Sequence, residues 1–558
     1  MTTRWSSSAR WSSLSRPLTL AALALLPVAV LGVFFVLPVS GMLARGFWPD
    51  GSFDPGGVIS VLGRPRVHRV LWFTVWSASV ATVVSVLLGL PAAHALHRRE
   101  FPGRRALRAA LLVPFVLPTV VVGVAFRELL GESGPLGFLG LDGTPVAIVA
   151  GLVFFNVAVV IRAVGASWES LDQRPADAAA ALGASPVQVF RTVTLPALRP
   201  AIVSAASVVF LFCATAFGVV LTLGGLRYSS VETEIYLLTT NLLDLQGAAA
   251  LSVLQLVAVL ALLLVAGRLR AVPDPSVSRV LPRPRRLSRR DWPGALATLL
   301  LVVLVALPIG TLVLGSMQVE GSGWGLDNYR ALTTRGTHQA LLVPVTDALV
   351  TSLRTAVDAT WMSLSLGLLV AVVVTRRSRS RSERRVRATL DGFFMLPLGV
   401  SAVTLGFGFL ITLDHPPLEL RDSPLLVPIA QALVALPLVV RTIVPVLSGV
   451  DDRQRQAAAS LGAGPLRAVL TVDLPVVWKP LLAASGFAFA ASLGEFGATS
   501  FLARDEHPTV PVVIFRLIGH PGPMNYGMAL AASVVLAATT AVVMLVVERL
   551  RVPSVGAF

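Results

Sequence analysis

Twelve apolar stretches, each about as long as one helix needs to cross a bilayer core, recur along this chain. No other feature limits the fold so tightly. A hydrocarbon layer about 30 Å thick takes roughly 20 apolar residues in helical form. Inside it every backbone N–H and C=O must find a partner within the chain, so runs of this length read as helices. In the first half they cover about 18–43, 70–96, 106–126, 145–164, 201–223 and 248–266; in the second, about 294–314, 349–374, 390–413, 425–446, 481–502 and 526–547. Of the 558 residues, 55% are hydrophobic and 14% charged, and the mean hydropathy is +0.77, far from the balance of a soluble domain. The expected fold is an all-α integral membrane protein of about 12 transmembrane helices.

A formal net charge of +16 would suggest nucleic acid if it lay on one folded polar face. Here the arginines sit in short clusters between apolar runs, as in loops held on the cytoplasmic side of a membrane; the partner is the lipid bilayer, and no nucleic acid is expected. Arg98, Arg99, Arg104, Arg105 and Arg108 follow the second run. Arg268, Arg270, Arg279, Arg283, Arg285, Arg286, Arg289 and Arg290 follow the sixth, and Arg376, Arg377, Arg379, Arg381, Arg384, Arg385 and Arg387 the eighth. The alternate loops are mixed or acidic, with Glu128, Glu132 and Asp142, or Glu232, Glu234 and Asp244. Both termini are therefore expected in the cytoplasm. Arg4, Arg10 and Arg16 precede the first run as they would in a signal peptide, but a signal's apolar region is only about 7 to 15 residues, so the run reads as a retained span. The single cysteine, Cys213, permits no intramolecular disulfide.

Set under one another at an offset of 279 residues, half the chain length, the two halves match without a gap at several points. Phe115, Leu117 and Pro118 fall on Phe394, Leu396 and Pro397; Arg162 falls on Arg441; Phe217-Gly218 falls on Phe496-Gly497. In the long inside loops, Asp177-Ala178-Ala179-Ala180-Ala181-Leu182-Gly183 falls on Gln456-Ala457-Ala458-Ala459-Ser460-Leu461-Gly462. Pro186, Val193 and Leu195-Pro196 fall on Pro465, Val472 and Leu474-Pro475. Each copy reads as two short helices: alanines favour the first, glycine stops it, proline opens the second, and Leu-Pro ends that one just before a span. An ordinary amphipathic connector would account for one copy, but not for two at a shared offset in equivalent loops.

This spacing resembles the cytoplasmic loop of binding-protein-dependent ABC importer permeases: Glu-Ala-Ala, three residues, Gly, nine residues, Ile, one residue, Leu-Pro. Asp177 and Gln456 replace the glutamate, and Val193 and Val472 the isoleucine. The resemblance implies two tandem six-helix type I permease repeats, 1–279 and 280–558, with coupling loops near 172–196 and 451–475. In such loops Asp177, Ala178, Ala179, Gly183, Leu195 and Pro196, and Gln456, Ala457, Ala458, Gly462, Leu474 and Pro475, dock in a groove of the ATPase. It also implies a bacterial inner membrane, two ATP-binding subunits on the cytoplasmic side, and an extracytoplasmic solute-binding protein.

No Gly-Lys-Ser/Thr phosphate cradle exists; the lone lysine, Lys479, lies between Trp478 and Pro480. ATP and Mg are expected on the partner, with no cofactor, metal or catalytic residue in this chain. The histidines form no His-Glu-x-x-His pattern, and no Gly-x-Ser-x-Gly elbow occurs. His94 and His97, about one helical turn apart, read as interfacial residues at the inner end of a span. Glu495 is the clearest ionisable group within a span, and such groups are expensive there. It reads either as a pathway carboxylate for a cationic solute or as a hydrogen-bonding or gate element; its counterpart is Ala216. Glu495, Phe496, Gly497, Phe217 and Gly218 are the pathway candidates. Double-length chains with two coupling loops look like the thiamine and ferric-iron permease group. The stretches around Ser492–Gly497, Thr509–Pro511, Ile514–Arg516, Leu223–Gly225 and Glu232–Tyr236 lean towards its thiamine members. A secondary transporter would share repeats and intramembrane charge but would not need two matched docking loops.

Overall fold

Ten helices among the described residues are long and apolar enough to cross a membrane. They are Leu23–Phe47, Pro65–Arg98, Pro145–Ser170, Pro186–Ala214, Leu245–Val265, Trp292–Ser316, Val345–Thr375, Leu426–Ser448, Val469–Leu493 and Pro523–Val547. The structure, a computed structural model, describes residues 23–49, 51–111, 113–225, 227–269, 285–286, 288, 291–319, 323–375, 381–414 and 418–550. Arg4, Arg10, Arg16, the start of the first run, Arg270, Arg279, Arg283, Arg289, Arg290, Arg376, Arg377, Arg379 and His415 lie outside them.

Two of the twelve expected spans are not continuous helices. The run 106–126 is divided into Arg104–Phe115 and Thr119–Leu130, which meet at 102°. Pro118 stands at the start of the second piece with extended ψ, and a proline pushes the residue before it out of the helical region. The run 390–413 divides likewise into Arg381–Phe394, a 3-10 turn at Leu396–Gly399 and Ala402–Thr412. Two more runs end early. The helix entering 201–223 stops at Ala214 and a new one begins at Gly218; that entering 481–502 stops at Leu493 and resumes at Thr499. The caps of the first pieces, Thr215 and Gly494, are again 279 residues apart.

Three π-helical segments, Gly32–Val36, Phe190–Thr194 and Val469–Asp473, each end two residues before a proline: Pro38, Pro196 and Pro475. A proline inside a helix has no N–H to offer and crowds the carbonyl four residues back; the wider π turn absorbs both faults and lets the helix run on. The expectation that Leu195-Pro196 and Leu474-Pro475 end a short helix is therefore corrected: Leu195–Ala214 and Leu474–Leu493 continue directly from the π turns.

The chain forms two compact units that cut across its halves. One takes the described parts of Met1–Ala44, Leu349–Thr509 and Val542–Gly556; the other takes Arg45–Ala348 and Val510–Ala541. In the first unit, Phe34 of the N-terminal helix lies 6.0 Å from Phe409, and Leu31 and Phe35 join a core with Phe394, Leu405 and Leu433. In the second, the Tyr526 hydroxyl donates to Glu128 at 2.8 Å, Phe515 lies edge-on to Tyr236, and Leu152, Phe154, Val157 and Val160 centre the core. In each unit two long helices approach closely at a glycine. A Cβ on Gly89 would stand 2.7 Å from Val160, and one on Gly367 would stand 2.5 Å from Val439; those two valines are repeat counterparts.

Close approach of this kind is how helices associate where lipid removes the hydrophobic drive. Gly89→Leu is expected to lower the unfolding free energy by about 1–3 kcal/mol, the usual cost of overpacking, seen as a lower melting temperature in detergent. Gly310→Leu, at a glycine with nothing within 4 Å, should leave the melting temperature unchanged.

Candidate functional site

Each matched loop folds into the same corner. In the first, the Asp172 carboxylate accepts from Arg174 N–H at 3.0 Å, and the alanine-rich helix Arg174–Ala181 follows. It closes with Gly183 N–H on the Ala180 carbonyl at 3.0 Å and Ala184 N–H on that of Ala179 at 3.1 Å, a Schellman closure that needs a left-handed residue. Gly183 supplies it at φ +89°. Ser185 and Gln188 then cap each other, so Pro186–Val189 starts with its first donors satisfied.

The second loop repeats this. Asp451 accepts from Arg453 N–H at 2.9 Å, Asp452–Ser460 is helical, and Gly462 stands at φ +85°. The closing bonds, Gly462 to Ala459 and Ala463 to Ala458, are both 3.0 Å.

On each corner the residue before the glycine is a leucine turned away from its own unit: Leu182 and Leu461 are both 89% exposed. Asp177 and Gln456 are exposed beside them, with Ala178 and Ala457. Leu195 and Leu474 are half-buried at the start of the following span, and Pro196 and Pro475 are exposed there. A leucine held out on a rigid, glycine-closed corner is a knob suited to an apolar socket. Sequence reasoning passed over it, although a leucine repeated at the shared offset amid alanine and polar residues was a usable signal.

The pathway candidates lie at the breaks in the spans. Glu495 is 7% exposed. Its carboxylate accepts from the backbone N–H of Ala498 at 2.7 Å and of Thr499 at 3.0 Å, and its carbonyl accepts from the Thr499 hydroxyl at 2.9 Å. It therefore supplies the partners that the broken helix would otherwise lack where it resumes. Phe496 and Gly497 are buried beside it, and a Cβ on Gly497 would stand 3.0 Å from Ala402. In the first repeat the residue at the position of Glu495 is Ala216. The Ser230 hydroxyl donates to the Ala216 carbonyl at 3.4 Å, Phe217 packs edge-on to Tyr236 at 5.4 Å, and Gly218 lies against Thr119.

The acidic stretch taken as an outside loop is instead a buried helix, Val231–Thr240. Glu232 and Glu234 are 0% and 1% exposed. Glu234 accepts a two-pronged bond from Arg66 at 2.5 and 3.0 Å, and Glu232 accepts from Gln255. Their partners are remote in sequence, so composition could not reveal them. Asp244, just beyond, is partly buried, which works against its charge; hydrogen bonds from Arg64 and Gly247 N–H still hold it below the usual carboxylate range.

Glu495→Gln keeps an acceptor for only one of the two N–H groups, which bond to different carboxylate oxygens, and is expected to assemble but to melt between the native chain and the leucine variant. Glu495→Leu leaves both donors buried without a partner, at about 1–3 kcal/mol each, and should melt measurably lower in detergent. Equal melting of the leucine variant and the native chain would mean that the carboxylate does not hold the break together.

The binding-protein-dependent transport system inner membrane component family matches this chain twice, over residues 85–279 and 363–551. Each match contains one glycine-closed corner and two broken spans. The thiamine transport system permease protein ThiP of Brucella abortus (strain 2308) is 29% identical over 468 residues, 81% of this chain and 82% of its own length. That of Escherichia coli (strain K12) is 28% identical over 472 residues, 83% and 85% of the two chains. The ferric transport system permease protein FbpB of Actinobacillus pleuropneumoniae is 24% identical over 543 residues, 92% and 76%. With one match in each repeat, together covering more than half its length, this all-α, multi-pass inner-membrane chain belongs to the family of binding-protein-dependent transport permeases.

Proposed function

We propose that this ABC importer permease carries thiamine into the cytoplasm, receiving it from an extracytoplasmic binding protein. Two ATP-binding subunits, docked on the two loop corners, hydrolyse ATP with Mg; the permease hydrolyses nothing itself. The observation that carries the docking is the pair of matched corners, each presenting a leucine that is 89% exposed. Full burial of such a side chain is worth about 1.5–3 kcal/mol, which a cytoplasmic groove would recover at each corner. Thiamine is supported by the names of relatives that this chain matches over more than four-fifths of its length. Ferric iron is the second reading, supported by the relative matched over 92% of the chain. Arginine clusters in alternate loops support a cytoplasmic location for both termini.

The test is uptake into proteoliposomes holding this chain, its ATPase and the binding protein encoded beside it. Labelled thiamine is expected to enter only with ATP and binding protein present. Uptake of ferric iron but not thiamine would replace the substrate, and uptake without ATP would make the chain a secondary transporter. Reporter fusions after Arg290 and Arg387 should read as cytoplasmic, and those near Asp244 and Asp505 as extracytoplasmic; the reverse would remove the docking argument.

Gly183→Val and Gly462→Val force a β-branched residue into the left-handed region, at about 1–3 kcal/mol of local strain. Each is expected to release the ATPase or uncouple hydrolysis from uptake while the spans still insert. Native co-purification and uptake in both variants would show that the corners are not the docking elements.

A further inference from the structure

In each repeat one guanidinium ties the same two positions together, but a different element supplies it. In the second repeat it belongs to Arg455, on the loop helix itself. Its Nη2 donates to the Leu447 carbonyl at 3.2 Å, in the last turn of the preceding span, and its Nη1 to Asp452 Oδ1 at 2.9 Å, in the first turn of the loop helix. Its Nε donates to Asp473 Oδ1 at 2.8 Å. Asp473, 2% exposed, ends the π turn that leads into Leu474–Leu493.

The positions 279 residues earlier are Trp168, Gln173, Ala176 and Thr194, so the loop arginine and its buried acid are both missing there. The clamp is present nonetheless. Arg98, the last residue of Pro65–Arg98, donates from Nη1 to the Trp168 carbonyl at 3.3 Å. With its amide oxygen turned to the guanidinium, Gln173 accepts from the same Nη1 at 2.9 Å. Trp168 also lies 5.0 Å from His94 on that helix and stacks at 6.3 Å and 25° on Phe190, the first residue of the π turn Phe190–Thr194.

We propose that Arg98 and Arg455 are positioning residues that clamp the two coupling loops with unequal reach. The first loop is held by a neighbouring span, so its displacement passes through Arg98 and the Phe190–Trp168–His94 stack into Pro65–Arg98. The second carries its own clamp, anchored on Asp473, and moves as one piece with Leu474–Leu493. A guanidinium suits this role because its planar fork fixes several acceptors at once, which an ammonium cannot do. This inference rests on the importer reading for its consequence, though not for its geometry.

The geometry is tested by hydrogen exchange on the full chain in lipid nanodiscs. Arg98→Met should speed exchange in 174–182 about tenfold, the loss of roughly one charge-assisted bond, and leave 452–461 unchanged. For the second clamp, Arg455→Ala alone strands a buried carboxylate, so it is paired with Asp473→Thr, which installs the residues of the first repeat. That double variant should speed exchange in 452–461 and leave 174–182 and Pro65–Arg98 unchanged. Unchanged exchange at the targeted loop in either case ends that clamp.

The consequence is tested in the reconstituted importer. Arg98→Met should keep the ATPase bound yet lose several-fold in solute moved per ATP hydrolysed, with Arg98→Lys in between. Faster exchange with an unaltered ratio would overturn the transmission and leave only a structural tie. If the native complex shows no ATP-coupled uptake, the importer reading fails, and the exchange results still decide the clamps.

Discussion

The constraint on which everything else depends is that a backbone group in lipid has no water to turn to. A continuous α-helix meets it residue by residue, so each departure from helix must bring its own partners. This chain departs in three ways, each with its own solution. At three prolines, Pro38, Pro196 and Pro475, the helix widens to a π turn and continues. At the broken spans the loose ends are buried in protein, and at one of them the Glu495 carboxylate takes the exposed donors. At the loop corners the chain has left the membrane, and glycine turns it through the left-handed region.

Backbone geometry repeats at the 279-residue offset far more faithfully than the side chains do. The closing bonds of the two corners agree within 0.1 Å, and the span caps at Thr215 and Gly494 coincide. The groups that stabilise equivalent geometry differ: Glu495 against Ala216 at the break, Arg455 and Asp473 against Arg98, Gln173 and Trp168 at the clamp. One architecture is thus reached through different chemistry in the two halves. Carrying both repeats in one polypeptide permits this, because each copy of the repeat can change without the other.

What was legible in the sequence follows from what hydropathy measures. It counts side chains, so the apolar runs and the all-α class came through, and exact spacing exposed the loop corners. It is blind to backbone continuity, and 106–126, 201–223, 390–413 and 481–502 each looked like one span although all are broken. Pro118, Pro397 and Gly494 were visible signals, but prolines in membrane helices are often tolerated, as Pro196 and Pro475 are here, so their presence alone did not decide. Glu232 and Glu234 were misplaced for another reason. A carboxylate reads as solvent-facing until its partner is known, and Arg66 lies 168 residues from Glu234.

The contrast between corner and break bears on how such a chain can move. At the corners the conserved geometry is rigid within itself, closed by backbone bonds and capped by short polar side chains, while its most apolar group, the leucine, is left outside. At the breaks the reverse holds: the aromatic and carboxylate groups are inside, and the backbone is the irregular part. The corner is thus stiff within itself, whereas the short helices Gly218–Gly224 and Thr499–Leu502 are set apart from their spans by irregular backbone. Those short helices are largely buried, so a bend in either span falls on the irregular backbone beside them, where the run of helical hydrogen bonds is already interrupted.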